Sequence, residues 1–92
     1  MKSLALKTFK IGDQDVKYSD LLKNCLNFSG KEGLQAEEMR KRIKVLDKLD
    51  AATDTLELED AEADTLKQVV AAMPWAVLNK DLLTMLDEVK AL

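Results

Sequence analysis

Between Gln35 and Ala51 apolar side chains recur every three or four residues, at Ala36, Met39, Ile43 and Leu46. At 100° per residue these four fall within an arc of about 80°, the stripe of an amphipathic helix. Val45 and Leu49 form a shoulder that widens the apolar sector to about 160°, with Glu38 and Arg42 set into it. The opposite face carries Glu37, Arg40, Lys41, Lys44, Asp47 and Lys48. Glu37 with Lys41, and Glu38 with Arg42, are i,i+4 pairs in the favourable order. A sector this wide exceeds what one packing stripe needs. The pattern therefore predicts a central helix over 35–51 whose flank at Arg42, Val45 and Leu49 is left for a partner or a second copy.

The remaining elements follow from shorter patterns. Leu4–Ile11 and Val16–Tyr18 flank Gly12-Asp-Gln-Asp15, and apolar, β-branched and aromatic residues on both sides of a Gly/Asp turn predict a hairpin. Its alternation changes phase, because Leu4 and Leu6 share one parity while Phe9 and Ile11 share the other. Either both faces are partly covered or a bulge lies between Leu6 and Phe9. Ser19 is placed to cap a short helix reaching Asn27, with Leu21, Leu22, Cys25 and Leu26 as its stripe. Residues 28–33 read as a loop. Leu56–Glu59 alternates apolar and acidic, as a short third strand joining the hairpin would. Asp60 is the expected cap of a third helix, Ala61–Met73, with Ala63, Leu66, Val69, Val70 and Met73 facing inward; Pro74 ends it. Trp75–Leu78 is an apolar connector, where Trp75 is expected to close the core or, if exposed, to anchor an interface, and Asn79 caps a last helix from Lys80 to about Ala91. Its stripe is Leu82, Met85, Leu86 and Val89, with Leu83 on the flank.

The fold class expected is α+β and mostly helical: an N-terminal β-hairpin plus a short third strand, packed against three to four helices. At 92 residues, 47% apolar and 34% charged, the chain fits one domain, residues 1–92, with a modest aliphatic core. A single cysteine, Cys25, cannot form an intrachain disulfide, so a reducing cytoplasmic setting is expected. The first residues are too short and too charged for a signal peptide, and no run approaches the roughly 20 apolar residues of a membrane span. The net charge of −3 is unevenly spread: residues 1–48 hold 11 Lys/Arg against 7 Asp/Glu, and residues 49–92 hold 3 against 10. Two such halves can pair within one subunit or between two.

Candidate chemistry is sparse. There is no histidine, hence neither the commonest general base nor the commonest metal ligand. Cys25 lies on an apolar stripe, where a cysteine behaves as a small hydrophobe, and no activating group is indicated for it. Residues 29–33 lack the spacing of a phosphate-cradling loop. Asp13-Gln-Asp15 lacks the twelve-residue frame of a calcium loop. No enzyme, cofactor or metal site is expected. Arg40, Lys41, Arg42, Lys44 and Lys48 invite a nucleic-acid reading, but Glu37, Glu38 and Asp47 interleave with them and no aromatics lie nearby. The acidic run at Asp54, Glu57, Glu59, Asp60, Glu62 and Asp64 reads either as strand-face and helix-cap chemistry or as a docking surface for a basic partner, a nucleic-acid mimic included.

Three stretches carry a resemblance when read together: Leu4–Leu22, with its x4 turn before Val16-Lys-Tyr-Ser-Asp-Leu-Leu22; Glu38–Leu49; and Leu56–Ala61 with Met73-Pro-Trp75. They make the chain resemble, over nearly its whole length, the small accessory proteins of tailed bacteriophages and prophages. The opening hairpin also looks like that of phage tail assembly chaperones. The resemblance implies binding to a phage or host protein, often as an oligomer such as a homodimer, in the cytoplasm of a bacterial host and without catalysis. It carries over no site residues. The interface expected from the residues themselves comprises Arg42, Val45 and Leu49 with Glu57, Glu59 and Glu62. The alternative is a small regulator that binds nucleic acid, or a nucleic-acid-binding protein, through the basic helix 35–51 or the acidic segment 54–64.

Overall fold

The computed structural model of the chain describes residues 2–28, 33–75 and 79–92. Its elements run β1 (Lys2–Ala5), β2 (Thr8–Ile11), β3 (Gln14–Lys17), α1 (Tyr18–Asn27), α2 (Ala36–Ala51), β4 (Thr55–Leu58), α3 (Asp60–Ala72) and α4 (Lys80–Lys90). The fold is α+β and mostly helical, as expected, with four helices and two small antiparallel sheets of two strands each among the described residues.

The sheets correct two expectations. The Leu4–Ile11 segment is neither one strand nor a bulged one; it divides at Leu6-Lys7 into β1 and β2, which belong to different sheets. Successive side chains of a strand point to opposite faces, so Leu4 and Phe9 on one regular strand would point apart. Dividing the strand lets Leu4 (3% exposed) enter the main core while Phe9 is half-buried against a second cluster. β2 and β3 form the hairpin, with Phe9 opposite Val16 and Ile11 opposite Gln14. Gly12 opens its two-residue loop at φ 63°, a left-handed conformation that glycine adopts without steric cost. The third strand, β4, pairs not with the hairpin but with β1, placing Leu4 opposite Leu56 and Lys2 opposite Leu58. Leu56 and Leu58 are fully buried while Thr55 and Glu57 face outward, the alternation of a strand covered on one side. Backbone bonds from Leu6 N–H to the Asp54 carbonyl (2.8 Å) and from Tyr18 N–H to the Lys7 carbonyl (3.0 Å) tie the divided segment to both neighbours.

The main core gathers Leu4, Leu56 and Leu58 with Leu22, Cys25 and Leu26 of α1, Val45 and Leu49 of α2, and the inward stripe of α3. Tyr18, Leu82 and Met85 form the second cluster, where the Tyr18 and Phe9 rings meet edge to face at 5.9 Å. Trp75, Leu6 and Leu86 pack against both clusters and join them. α3 buries Ala63, Leu66, Val69 and Val70 as its spacing predicts, and α4 buries Leu82, Met85 and Val89 while Leu83 stays exposed.

Helix starts agree in one case and differ in two. Asn79 caps α4 through its side-chain oxygen, which accepts from Asp81 N–H (2.8 Å) and Leu82 N–H (3.1 Å). α1 begins one residue before Ser19, with Lys17 at its cap position and no side-chain bond there. The cap of α3 is Glu59 rather than Asp60: Glu59 accepts from the Glu62 N–H, and Glu62 Oε1 accepts from the Glu59 N–H at 2.9 Å. That reciprocal arrangement is a capping box, which satisfies donors a helix start leaves open. The expected loop at 28–33 and connector at 75–78 lie largely outside the described residues, with Phe28, Gly33 and Trp75 at their margins.

Candidate functional site

α2 packs on the side its pattern ranked second. Val45 is fully buried and Leu49 is 3% exposed, whereas Met39 and Ile43, the centre of the expected core stripe, are 46% and 52% exposed. Leu46 is half-buried at the border between the two sides. Val45 and Leu49 therefore belong to the core, and the flank expected to await a partner is covered.

Arg42 explains the rotation. It interrupts the Val45–Leu49 shoulder, and burying a guanidinium requires hydrogen-bond partners. It finds three. Nη1 donates to the carbonyls of Phe28 (2.6 Å) and Leu26 (3.2 Å), and Nε donates to Glu38 Oε1 (3.2 Å). The two carbonyls lie at the C-terminal end of α1, where a helix leaves acceptors open and carries partial negative charge. α1 has no basic residue in its own last turn, so Arg42 supplies the cation from the neighbouring helix. Its side chain is 14% exposed. Arg42 is a brace between α1 and α2, not an exposed contact residue, and turning it toward α1 turns Val45 and Leu49 inward with it.

The outward side of α2 is left with Met39 and Ile43, one turn apart, and with Leu46 partly accessible. Half-exposed Phe28 borders the same helix, since its carbonyl is held by Arg42. Sequence periodicity marked Met39 and Ile43 as apolar and helical but assigned them to the interior. The signal that could have separated the two sectors was Arg42 itself, which needs acceptors that only the Val45–Leu49 side could meet.

Two residues of the acidic segment, Glu59 and Glu62, cap a helix, and the others take separate positions. Glu57 is exposed on the outer face of β4, opposite Ser3. Glu59 and Glu62 form the capping box of α3, and Glu62 also lies 3.8 Å from Lys48 Nζ. A cleft of about 440 Å³ between α2 and α3 has Lys41, Lys44 and Lys48 on one wall and Glu59, Glu62 and Asp64 on the other. The basic and acidic halves of the chain thus meet inside one subunit, and Lys7 with Glu88 (2.9 Å) is a second pair between them. Lys23 bonds Asp50 at 2.8 Å, tying α1 to the end of α2. The Glu88 and Asp50 bonds raise the pKa of Lys7 and Lys23 respectively.

Cys25 is 1% exposed in the core, and burial pushes its thiol up to about 11, away from the thiolate that nucleophilic chemistry needs. Among the described residues no group of three or more His, Cys, Asp or Glu could hold a metal ion. Trp75 is half-buried, and its indole N–H is buried without an acceptor among the described residues. It lines a shallow groove of about 360 Å³ between α3 and α4 with Val70, Leu86 and Val89. Among the described residues no helix is long and apolar enough to cross a membrane. Compared with protein-family models, curated proteins and solved structures, the chain matches none of them.

Proposed function

We propose that this chain is a non-enzymatic accessory protein of phage type, an assembly or host-takeover factor working in the cytoplasm of a bacterial host through protein–protein contact. The observation that carries the reading is the Met39–Ile43 ridge on α2. Two large apolar side chains stand about half exposed one turn apart, on the longest helix of a chain whose thiol is buried and whose basic and acidic residues face each other. A contiguous exposed apolar patch rimmed by polar residues marks an interaction site, and Met39 and Ile43 adjoin on one helix face instead of standing singly. The internal matching of Lys41, Lys44 and Lys48 with Glu59, Glu62 and Asp64 favours a protein over a nucleic acid as partner, because a nucleic-acid surface depends on a basic surplus.

The test uses the full chain and its Ile43→Glu variant. Substitution at this exposed position leaves folding stability within about 0.5 kcal/mol. A tagged wild-type chain is expected to bind one protein, a second copy or a different chain, that also binds in purified form and is lost with Ile43→Glu. Binding that is unaffected by Ile43→Glu, or tight DNA binding whose affinity falls steeply with salt in gel shifts, would overturn the reading.

A further inference from the structure

The exposed face of α2 is complementary to itself when one copy is reversed against another. With Ile43 as the centre of the face, Met39 and Leu46 lie about 40–60° to one side and Arg40 and Asp47 about 40–60° to the other. Along the axis Arg40 sits about 4.5 Å before Ile43 and Asp47 about 6 Å after it. A two-fold axis perpendicular to the helix, passing beside Ile43, reverses the direction of the second helix but keeps each flank on its own side. Arg40 of one copy then comes level with Asp47 of the other, and the pair occurs twice. On the opposite flank Met39 comes level with Leu46, also twice, and Ile43 meets Ile43 at the centre.

The parallel alternative lacks this match. Asp50 lies nearly in line with the seam, about 20° from Ile43, so parallel helices would set it against its own copy and leave Arg40 without a carboxylate at its level. The reversed arrangement sets Asp50 against Ala36. Met39, Ile43, Arg40 and Asp47 are all exposed, and none of the four is in a salt bridge or side-chain hydrogen bond among the described residues.

We infer that the partner of the Met39–Ile43 ridge is a second copy of this chain, docked α2 against α2 in antiparallel two-fold symmetry. The inference rests on the reading of the ridge as a docking face. Two-fold closure is the commonest way a chain covers its own surface, and residue i meeting j while j meets i is its signature. A seam centred on one helix is smaller than the about 800 Å² per partner of a standard interface, so a reversible association is sought across the micromolar range.

Sedimentation equilibrium of the full chain is expected to show a monomer–dimer transition across that range. Arg40→Asp alone, or Asp47→Arg alone, sets like charges opposite each other twice per dimer and is expected to weaken it about tenfold. The double variant Arg40→Asp/Asp47→Arg restores the wild-type constant. Urea melts of all three stay together, because both side chains are exposed. In cross-linking under mild oxidation, Ile43→Cys forms a disulfide-linked dimer and Asp50→Cys does not, because the reversed helix sets Asp50 about 21 Å along the axis from its own copy; buried Cys25 takes no part. A monomer up to about 1 mM, no restoration in the double variant, or a disulfide through Asp50→Cys would each overturn the inference. A monomeric wild type that binds another protein, with Ile43→Glu abolishing that binding, overturns self-pairing alone; no association and no effect of Ile43→Glu overturns the docking reading as well.

Discussion

Replacing Arg42 by methionine keeps the length and apolar stem of the side chain and removes the guanidinium that joins α1 to α2. Three bonds are lost: to Leu26 O at 3.2 Å, to Phe28 O at 2.6 Å and to Glu38 Oε1 at 3.2 Å. They are not equivalent. The Glu38 bond is an i,i+4 pair, worth about 0.3–0.5 kcal/mol. The Phe28 carbonyl belongs to an exposed residue and can be taken over by water. The Leu26 carbonyl belongs to a residue only 1% exposed, and losing a charged donor there costs about 1.5–3 kcal/mol. Loss of the cation at the α1 C-terminus adds about 0.3–1 kcal/mol. Methionine regains part of this through apolar contact and relaxed rotamer freedom. The expected net loss is about 2–3 kcal/mol, a large share of the 5–15 kcal/mol typical of a domain.

Urea unfolding followed by circular dichroism measures it, and the midpoint is expected to fall by about 1–2 M. Arg42→Lys keeps the charge but cannot reproduce the planar fork, and should recover less than half of the loss. Glu38→Gln should cost no more than about 0.5 kcal/mol. A loss below about 0.5 kcal/mol for Arg42→Met would refute the brace, and with it the physical reason given for the orientation of α2.

Two further predictions concern stability. Because burial raises the Cys25 thiol from 9.0 to about 11, the unfolded chain ionises first, so stability held below pH 9 is lost as pH rises toward 11. Cys25 should contribute at most about 1.4 kcal/mol per pH unit; the slope should be reduced in Cys25→Ala, leaving the part due to Tyr18, Lys7 and Lys23, whose pKa values the fold also raises. Equal slopes in urea melts of the two chains between pH 9 and 10.5 would refute this. Asn79→Ala removes the oxygen that accepts from Asp81 and Leu82 and should cost about 1 kcal/mol, or about 4–8 °C in Tm, while Asn79→Asp should lose little. An unchanged Tm in the alanine variant would show that α4 does not depend on its cap.

How much of this was legible in the sequence depended on how locally each feature is determined. α3 and α4 each have one dominant stripe and a definite stop or cap, Pro74 and Asn79, so their inward faces followed from spacing. α2 offered two adjoining apolar sectors, and the choice between them lay outside the helix, in the open carbonyls at the end of α1 that Arg42 reaches. The partner of β4 was equally remote, because nothing within the Leu56–Glu59 pattern distinguishes β1 from the hairpin. The cap of α3 was different: Glu59 and Glu62 stand at capping-box spacing, but the motif ordinarily begins with Ser or Thr, so by residue type Asp60 was the stronger cap. Of the expected interface, Arg42, Val45 and Leu49 are committed to the subunit itself. Met39 and Ile43, assigned to the core by the same periodicity, face outward.

The pairing of β1 with β4 has a consequence for how the chain is made. Leu4 and Leu56 are 52 positions apart, while the hairpin and α1 close over short spans. During synthesis at about 5–20 residues per second, β1 waits roughly 3–10 s for its partner strand to be translated. Through that interval Leu4 has no Leu56 to cover it, and the β1 backbone offers unpaired hydrogen-bonding groups of the kind that recruit foreign strands. Lys2 and Lys7 at either end of this short segment are charges of the kind that discourage such recruitment. Of the four described strands, the one made earliest therefore waits longest for its partner, and charge guards it in the meantime.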